Sequence, residues 1–156
     1  MGTKGKKLAT LEIVRTIHAP AAVVFDTVAD PARFAEAISG VTKLEFLSST
    51  KSGAGTRFRQ ARLMNGKEMT LDFDVTECVP NQRVRIVNEV HGTRWDSLIT
   101  LTPSDAFTTL TMRMDTETRP LVPRLLMPFM LRLFIRKAVE KDFDAVKACC
   151  ERSSVS

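Results

Sequence analysis

Residues 121–152 read LVPRLLMPFMLRLFIRKAVEKDFDAVKACCER, and a long helix here decides how the rest of the chain must be arranged. From Arg136 onward the apolar side chains recur at helical spacing. Ile135, Val139, Phe143, Val146 and Cys150 lie one or two turns apart, with Lys137, Glu140, Lys141 and Lys147 mostly between them. That half has one dry face and one wet face. From Leu125 to Phe134 only Pro128 and Arg132 interrupt the apolar run, so side chains that avoid water point in every direction. Such a helix has to be covered, and the sequence before it supplies a sheet.

Between Val41 and Thr118 the apolar period is two, and turn signals at SSTKSGAG, MNGKE, VPNQR, HGT and PSDA divide it into about six strands. A further strand, LEIVRTIHA, comes first and ends at Pro20. Pro20 opens a helix in which Val24, Phe25 and Val28 share a face. Asp30-Pro31 stops it and starts a second short helix, ARFAEAI, which closes at Ser39-Gly40. One strand, two short helices, six strands in an antiparallel meander and a long helix make an α+β layout in which a curved sheet wraps the C-terminal helix.

At 156 residues the chain is long enough for one domain with a real core and too short for two. Residues 1–8 are expected as a disordered basic tail and residues 9–153 as the domain. The longest apolar run, around Leu125 to Ile135, is shorter than the roughly 20 residues a bilayer-spanning helix needs and contains Arg132, so no transmembrane segment is expected. No continuous apolar stretch opens the sequence, which argues against a secretory signal. Cys78, Cys149 and Cys150 make a poor disulfide set, since helical neighbours point to different faces. A cytoplasmic location with reduced thiols follows as the expectation. The net charge of +5 raises the question of nucleic acid, but the cations are scattered among 18 carboxylates, with one Trp and no Tyr to stack on bases. No nucleic-acid partner is predicted.

The segments IHAPAAVVFDTVADPARFAEAISGVTKLEFLS, GAGTRFR, VTECVPNQRVRI and ITLTPSDAFTTLTMRM, followed by the final helix ending DFDAVKACCER, occur in an order that resembles the START-like superfamily. This group, also called SRPBCC, includes the polyketide cyclase/dehydrase and Bet v 1-like proteins. The resemblance covers nearly the whole chain. It implies a helix-grip fold, with a seven-stranded antiparallel sheet around the C-terminal helix and a cavity between them. It also implies lipid, sterol, hormone or polyketide ligands, or cyclase and dehydratase activity. Where many members carry a Trp-Pro or similar aromatic after the short helices, this chain has Glu36-Ala37-Ile38-Ser39, which leaves the particular ligand open.

Strand alternation selects the side chains that face such a cavity. In GTRFRQARLM, Phe58, Gln60 and Arg62 share one face and Arg57 and Arg59 the other; two arginines beside water cost less than two inside. Met69, Leu71, Phe73 and Val75 are inward, opposite Glu68, Asp72 and Asp74. Val84, Ile86, Asn88 and Val90, then Trp95, Ser97, Ile99 and Leu101, then Leu110, Met112 and Met114 complete the wall. A greasy surface with a few polar groups, here Gln60, Arg62, Asn88 and Ser97, is typical of ligand cavities. Met69, Met112, Met114, Met127 and Met130 add compliance, and Phe134 belongs to the helix segment expected to cross the cavity mouth. Pro123 and Pro128 are expected to kink that entry. An inward Arg62 requires an anion, either a strand carboxylate or an acidic ligand head group, unless it reaches solvent at the strand end.

Catalytic groups are sparse. His18 and His91 have no evident nucleophile or orienting partner, the Asp72 and Asp74 pair falls on the outer face, and the cysteines and His91 lack zinc-site spacing. The sequence calls for no metal and no cofactor. It favours binding of a hydrophobic or amphipathic small molecule. A cyclase or dehydratase is the second reading, and a dimerisation or docking module using the apolar LLMPFMLRLF stretch, against a partner or a membrane surface, is the third. Both a monomer and a homodimer are compatible with it.

Overall fold

Where the sequence alternates, the chain pairs: one antiparallel sheet of seven strands in the order β1-β7-β6-β5-β4-β3-β2 forms the body of the molecule. The computed structural model describes residues 6–64, 66–90, 92–118 and 134–155. Its strands are β1 (Lys6–Ile17), β2 (Val41–Phe46), β3 (Arg57–Met64), β4 (Lys67–Val79), β5 (Arg83–Val90), β6 (Thr93–Pro103) and β7 (Thr108–Thr118). Helices α1 (Ala21–Ala29) and α2 (Pro31–Ala37) follow β1, and α3 (Arg136–Val155) closes the chain. This is the seven-stranded helix-grip architecture. One boundary differs from the sequence reading: β1 begins at Lys6, inside the stretch assigned to a tail, because Lys6 and Lys7 pair with Thr118 and Glu117 of β7.

Local chemistry explains the helical corner. Asp30 ends α1 and caps α2: its carboxylate accepts the backbone N–H groups of Ala32 at 2.9 Å and Arg33 at 3.5 Å, and Pro31 occupies the first helical position where its missing N–H costs nothing. Gly40, with φ of +88°, then turns the chain into β2. Its carbonyl accepts the Leu63 N–H at 2.8 Å, and a Cβ at Gly40 would lie 2.7 Å from the Leu63 carbonyl oxygen. Gly40→Ala should therefore cost more than about 1 kcal/mol, since both the backbone conformation and the close approach exclude a methyl group. Chemical denaturation checks this, and an unchanged midpoint would show that the turn can shift aside.

The core lies between the concave face of the sheet and the helices. Leu11, Ile13, Ile17, Val84, Ile99, Leu101, Leu110 and Met112 are buried from the sheet side; Val24, Val28, Phe143, Val146 and Cys150 meet them from α1 and α3. The stripe Val139, Phe143, Val146 and Cys150 is thus the gripped face of α3, with Ile135 packed against the core just before the helix, as the spacing predicts. On the convex face, arginines that alternation placed outside meet carboxylates across the strands. Arg57 bonds Asp74 at 2.7 Å, Arg59 bonds Asp72 at 2.7 and 3.0 Å, Arg83 bonds Glu77, and Arg85 reaches Asp96 at 3.0 Å. The Arg59 guanidinium holds the Asp72 carboxyl below its ordinary value, as Arg83 does for Glu77.

Candidate functional site

The register of the sheet assembles the inward side chains into rows. Val84, Ile99, Met112 and Ile13 stand side by side across β5, β6, β7 and β1; the next row is Val75, Ile86, Ser97, Met114 and Leu11; the one after it contains Asn88, Trp95 and Thr116. Across β2, β3 and β4, Phe46, Phe58 and Phe73 share a row, and Leu44, Gln60 and Leu71 share the neighbouring one. Phe58 and Phe73 stack with their rings 5.1 Å apart.

Burial changes along these rows. Toward Val84, Ile99, Leu101 and Leu110 the concave face is closed, whereas Leu71, Phe73, Ile86, Asn88, Trp95, Ser97 and Met114 are half-buried. Of the side chains selected from the sequence, Phe58, Gln60, Leu71, Phe73, Asn88, Trp95, Ser97, Met112 and Met114 lie on this face, with Phe58 and Met112 in its closed core. Gln60 is only 8% exposed, and the side chains of Gln60, Asn88 and Ser97 make no hydrogen bond to any of the described residues.

Two residues differ from expectation. Met69 is 44% exposed: it sits near the turn end of the β3–β4 hairpin, opposite Arg62. Phe134 is 60% exposed. Met127, Met130, His91, both prolines of the expected kink and the apolar half of the C-terminal stretch up to residue 133 lie outside the described residues.

Arg62 is corrected in a more consequential way. Its anion is neither a strand carboxylate nor solvent. The guanidinium makes a two-pronged ion pair with Asp142 of α3, one arm at 2.7 Å, and its Nε donates to the Ser39 carbonyl at 3.2 Å, a carbonyl that the Gly40 turn brings within reach. The side chains of Arg62 and Asp142 are 17% and 11% exposed. Hydrogen bonding to Asp142 holds the Arg62 guanidinium above its ordinary value, against the opposing effect of burial. At the other edge of the sheet Arg15 of β1 bonds Asp144 at 2.6 Å. Asp142 and Asp144 point roughly 200° apart around the helix, so α3 is held from both sides while Phe143 between them enters the core. The sequence contained no signal for the Arg62 partner, which lies 80 residues away.

Nucleophilic chemistry finds little support among the described residues. Burial pushes the Cys78 and Cys150 thiols up, away from the reactive thiolate, and all three cysteines are free. His18 is exposed and meets the edge of Phe107. A cleft of about 380 Å³ opens beside the short helices, lined by Phe25, Asp26, Ala29, Asp30 and Arg33 together with Ser52, Gly53 and Cys78; none of the residues selected from the sequence line it. No helix among the described residues is long and apolar enough to cross a membrane.

Comparison with known proteins agrees with this architecture. The aromatase/cyclase ZhuI from Streptomyces sp. R1128 superimposes with a TM-score of 0.76 at 19% identity, over 92% of this chain and 94% of that one. The di-domain aromatase/cyclase StfQ of the steffimycin biosynthetic pathway gives 0.80 at 13% identity, over 94% of this chain and 52% of its own. Ara h 8.0201 gives 0.75 at 14% identity, over 91% and 97%. At these identities the likeness is one of fold. No curated protein sequence matches the chain. The family model described as "Polyketide cyclase / dehydrase and lipid transport" matches residues 9–151, nearly the whole domain that the sheet and its gripped helix build, and the chain belongs to that family.

Proposed function

We propose that this protein binds a hydrophobic or amphipathic small molecule, lipid- or polyketide-like, against the half-buried part of the concave face. The observation that carries this reading is the character of that wall. Leu71, Phe73, Ile86, Trp95 and Met114 offer apolar surface, and Gln60, Asn88 and Ser97 stand among them with side-chain hydrogen-bonding capacity unused by any described residue. Asn88 and Ser97 are half-buried and stay reachable, and a few polar groups spaced along an apolar wall are what fixes the orientation of a bound molecule. A ligand with scattered oxygens would complete them.

The same polar groups support turnover as the second reading, a cyclase or dehydratase that folds a flexible substrate along the wall and orients it through hydrogen bonds. Membership of a family described as polyketide cyclase / dehydrase and lipid transport supports it. Incubation with a linear polyketide-like substrate, followed by chromatography and mass spectrometry of the released molecule, would separate the two: a product of changed retention, with or without loss of water, shows turnover, and recovery of the unchanged substrate shows binding.

The binding reading predicts saturable uptake of 1-anilinonaphthalene-8-sulfonate with about one molecule per chain. Trp95, the one tryptophan of the sequence, stands on the wall and should report it by quenching or a spectral shift. Native mass spectrometry should show a matching adduct. Unsaturable dye binding with an unchanged Trp95 signal would mean that the concave face is simply filled.

A further inference from the structure

On β7 the inward set Leu110, Met112 and Met114 continues to Thr116, which is fully buried. Its hydroxyl oxygen has no hydrogen-bond partner among the described residues. Other buried threonines are satisfied by nearby backbone: Thr27 donates to the Val23 carbonyl at 3.0 Å, Thr56 to Gly53 at 2.8 Å and Thr108 to Ala19 at 2.7 Å. Thr116 departs from that pattern on a face otherwise built of Leu11, Ile13, Ile99, Leu110 and Met112, where valine would have the same shape and no unmet hydroxyl. Burying an unpaired hydroxyl weakens the fold, so its presence calls for a partner that the fold itself does not provide.

The neighbours indicate where that partner sits. Thr116 is paired across the strands with Trp95, and Trp95 with Asn88, so a hydroxyl, an indole and an amide share one row. Ser97, two residues along β6 from Trp95, faces the same way one row over, beside Met114. An apolar ring or chain lying over Trp95 and Met114 would bring an oxygen substituent toward Thr116. The threonine hydroxyl can donate to a carbonyl or a hydroxyl oxygen, and can also accept from a hydroxyl.

We infer that the Thr116 hydroxyl anchors an oxygen of the bound molecule, a hydroxyl or a carbonyl, at the Asn88, Trp95 and Thr116 row. The inference rests on the cavity-binding reading above and gives the ligand a polar end and a place for it. Thr116 is a positioning contact for the ligand and serves the fold little.

The test compares naphthalene with 2-naphthol, the same ring without and with one hydroxyl, by titration against Trp95 fluorescence. Thr116→Val should weaken 2-naphthol relative to naphthalene by roughly 3- to 10-fold, the worth of one neutral hydrogen bond, while naphthalene affinity holds. Its thermal midpoint should stay level or rise. Thr116→Ser, which keeps the hydroxyl, should retain the wild-type ratio, and Thr116→Ala should lose it even if valine disturbs packing. An unchanged ratio in Thr116→Val and Thr116→Ala overturns the inference while leaving cavity binding intact. Equal weakening of both probes also overturns it, since that reports cavity shape. If the wild-type protein takes up neither probe, cavity binding itself fails and the inference falls with it.

Discussion

Arg62→Met should destabilise the protein by about 3–5 kcal/mol, although the substitution replaces a partly buried cation with an apolar chain of similar length. The reason lies on the helix. Asp142 is 8% exposed, and removing its guanidinium partner leaves a carboxylate in the interior with neither water nor counter-charge. The Ser39 carbonyl loses its donor at the same time. Restoring neutrality should reverse most of the loss: the double variant Arg62→Met, Asp142→Leu should approach wild-type stability, because replacing both charges with apolar groups removes the desolvation cost of each. Urea unfolding of the two single variants and the double variant gives the coupling directly. A single Arg62→Met variant within about 0.5 kcal/mol of wild type would show that water screens the pair, and Arg62 would regain its standing as an anchor for an acidic ligand.

Phe143→Ala should also cost about 3–5 kcal/mol, through a different mechanism. Phe143 is 5% exposed and sits in the gripped stripe of α3, with its ring centroid 6.3 Å from that of Phe34 of α2. Truncating it opens a cavity where helix, helix and sheet meet, and the ion pairs on either side at Asp142 and Asp144 limit how far α3 can settle into the gap. Phe134, 60% exposed, provides the internal control: Phe134→Ala should change stability by less than about 0.5 kcal/mol. Denaturation curves that shift equally for the two variants would count against assigning the grip to residues from Ile135 onward.

The faces of this protein are written in its sequence. Phe58 goes in while Arg57 and Arg59 go out because a strand alternates with period two and a buried unpaired guanidinium is prohibitively costly. Val139, Phe143, Val146 and Cys150 share a stripe because a helix repeats every 3.6 residues. Asp30-Pro31 and Ser39-Gly40 mark the helical corner through backbone requirements of the residues themselves. These are local constraints, readable over a few positions, and together with the order of elements they lead to a sheet wrapped around a helix. What stands opposite each inward side chain is a different matter. Arg62 meets Asp142 across 80 residues, and Met69, near the turn of its hairpin, remains 44% exposed. The inward set read from the sequence of that strand stops at Met114, so Thr116 is not singled out there, and its unmet hydroxyl emerges only from the folded chain. A hydrogen bond is satisfied or left open by whatever the folded chain brings to within about 3 Å, and alternation along one strand carries no information about that distance.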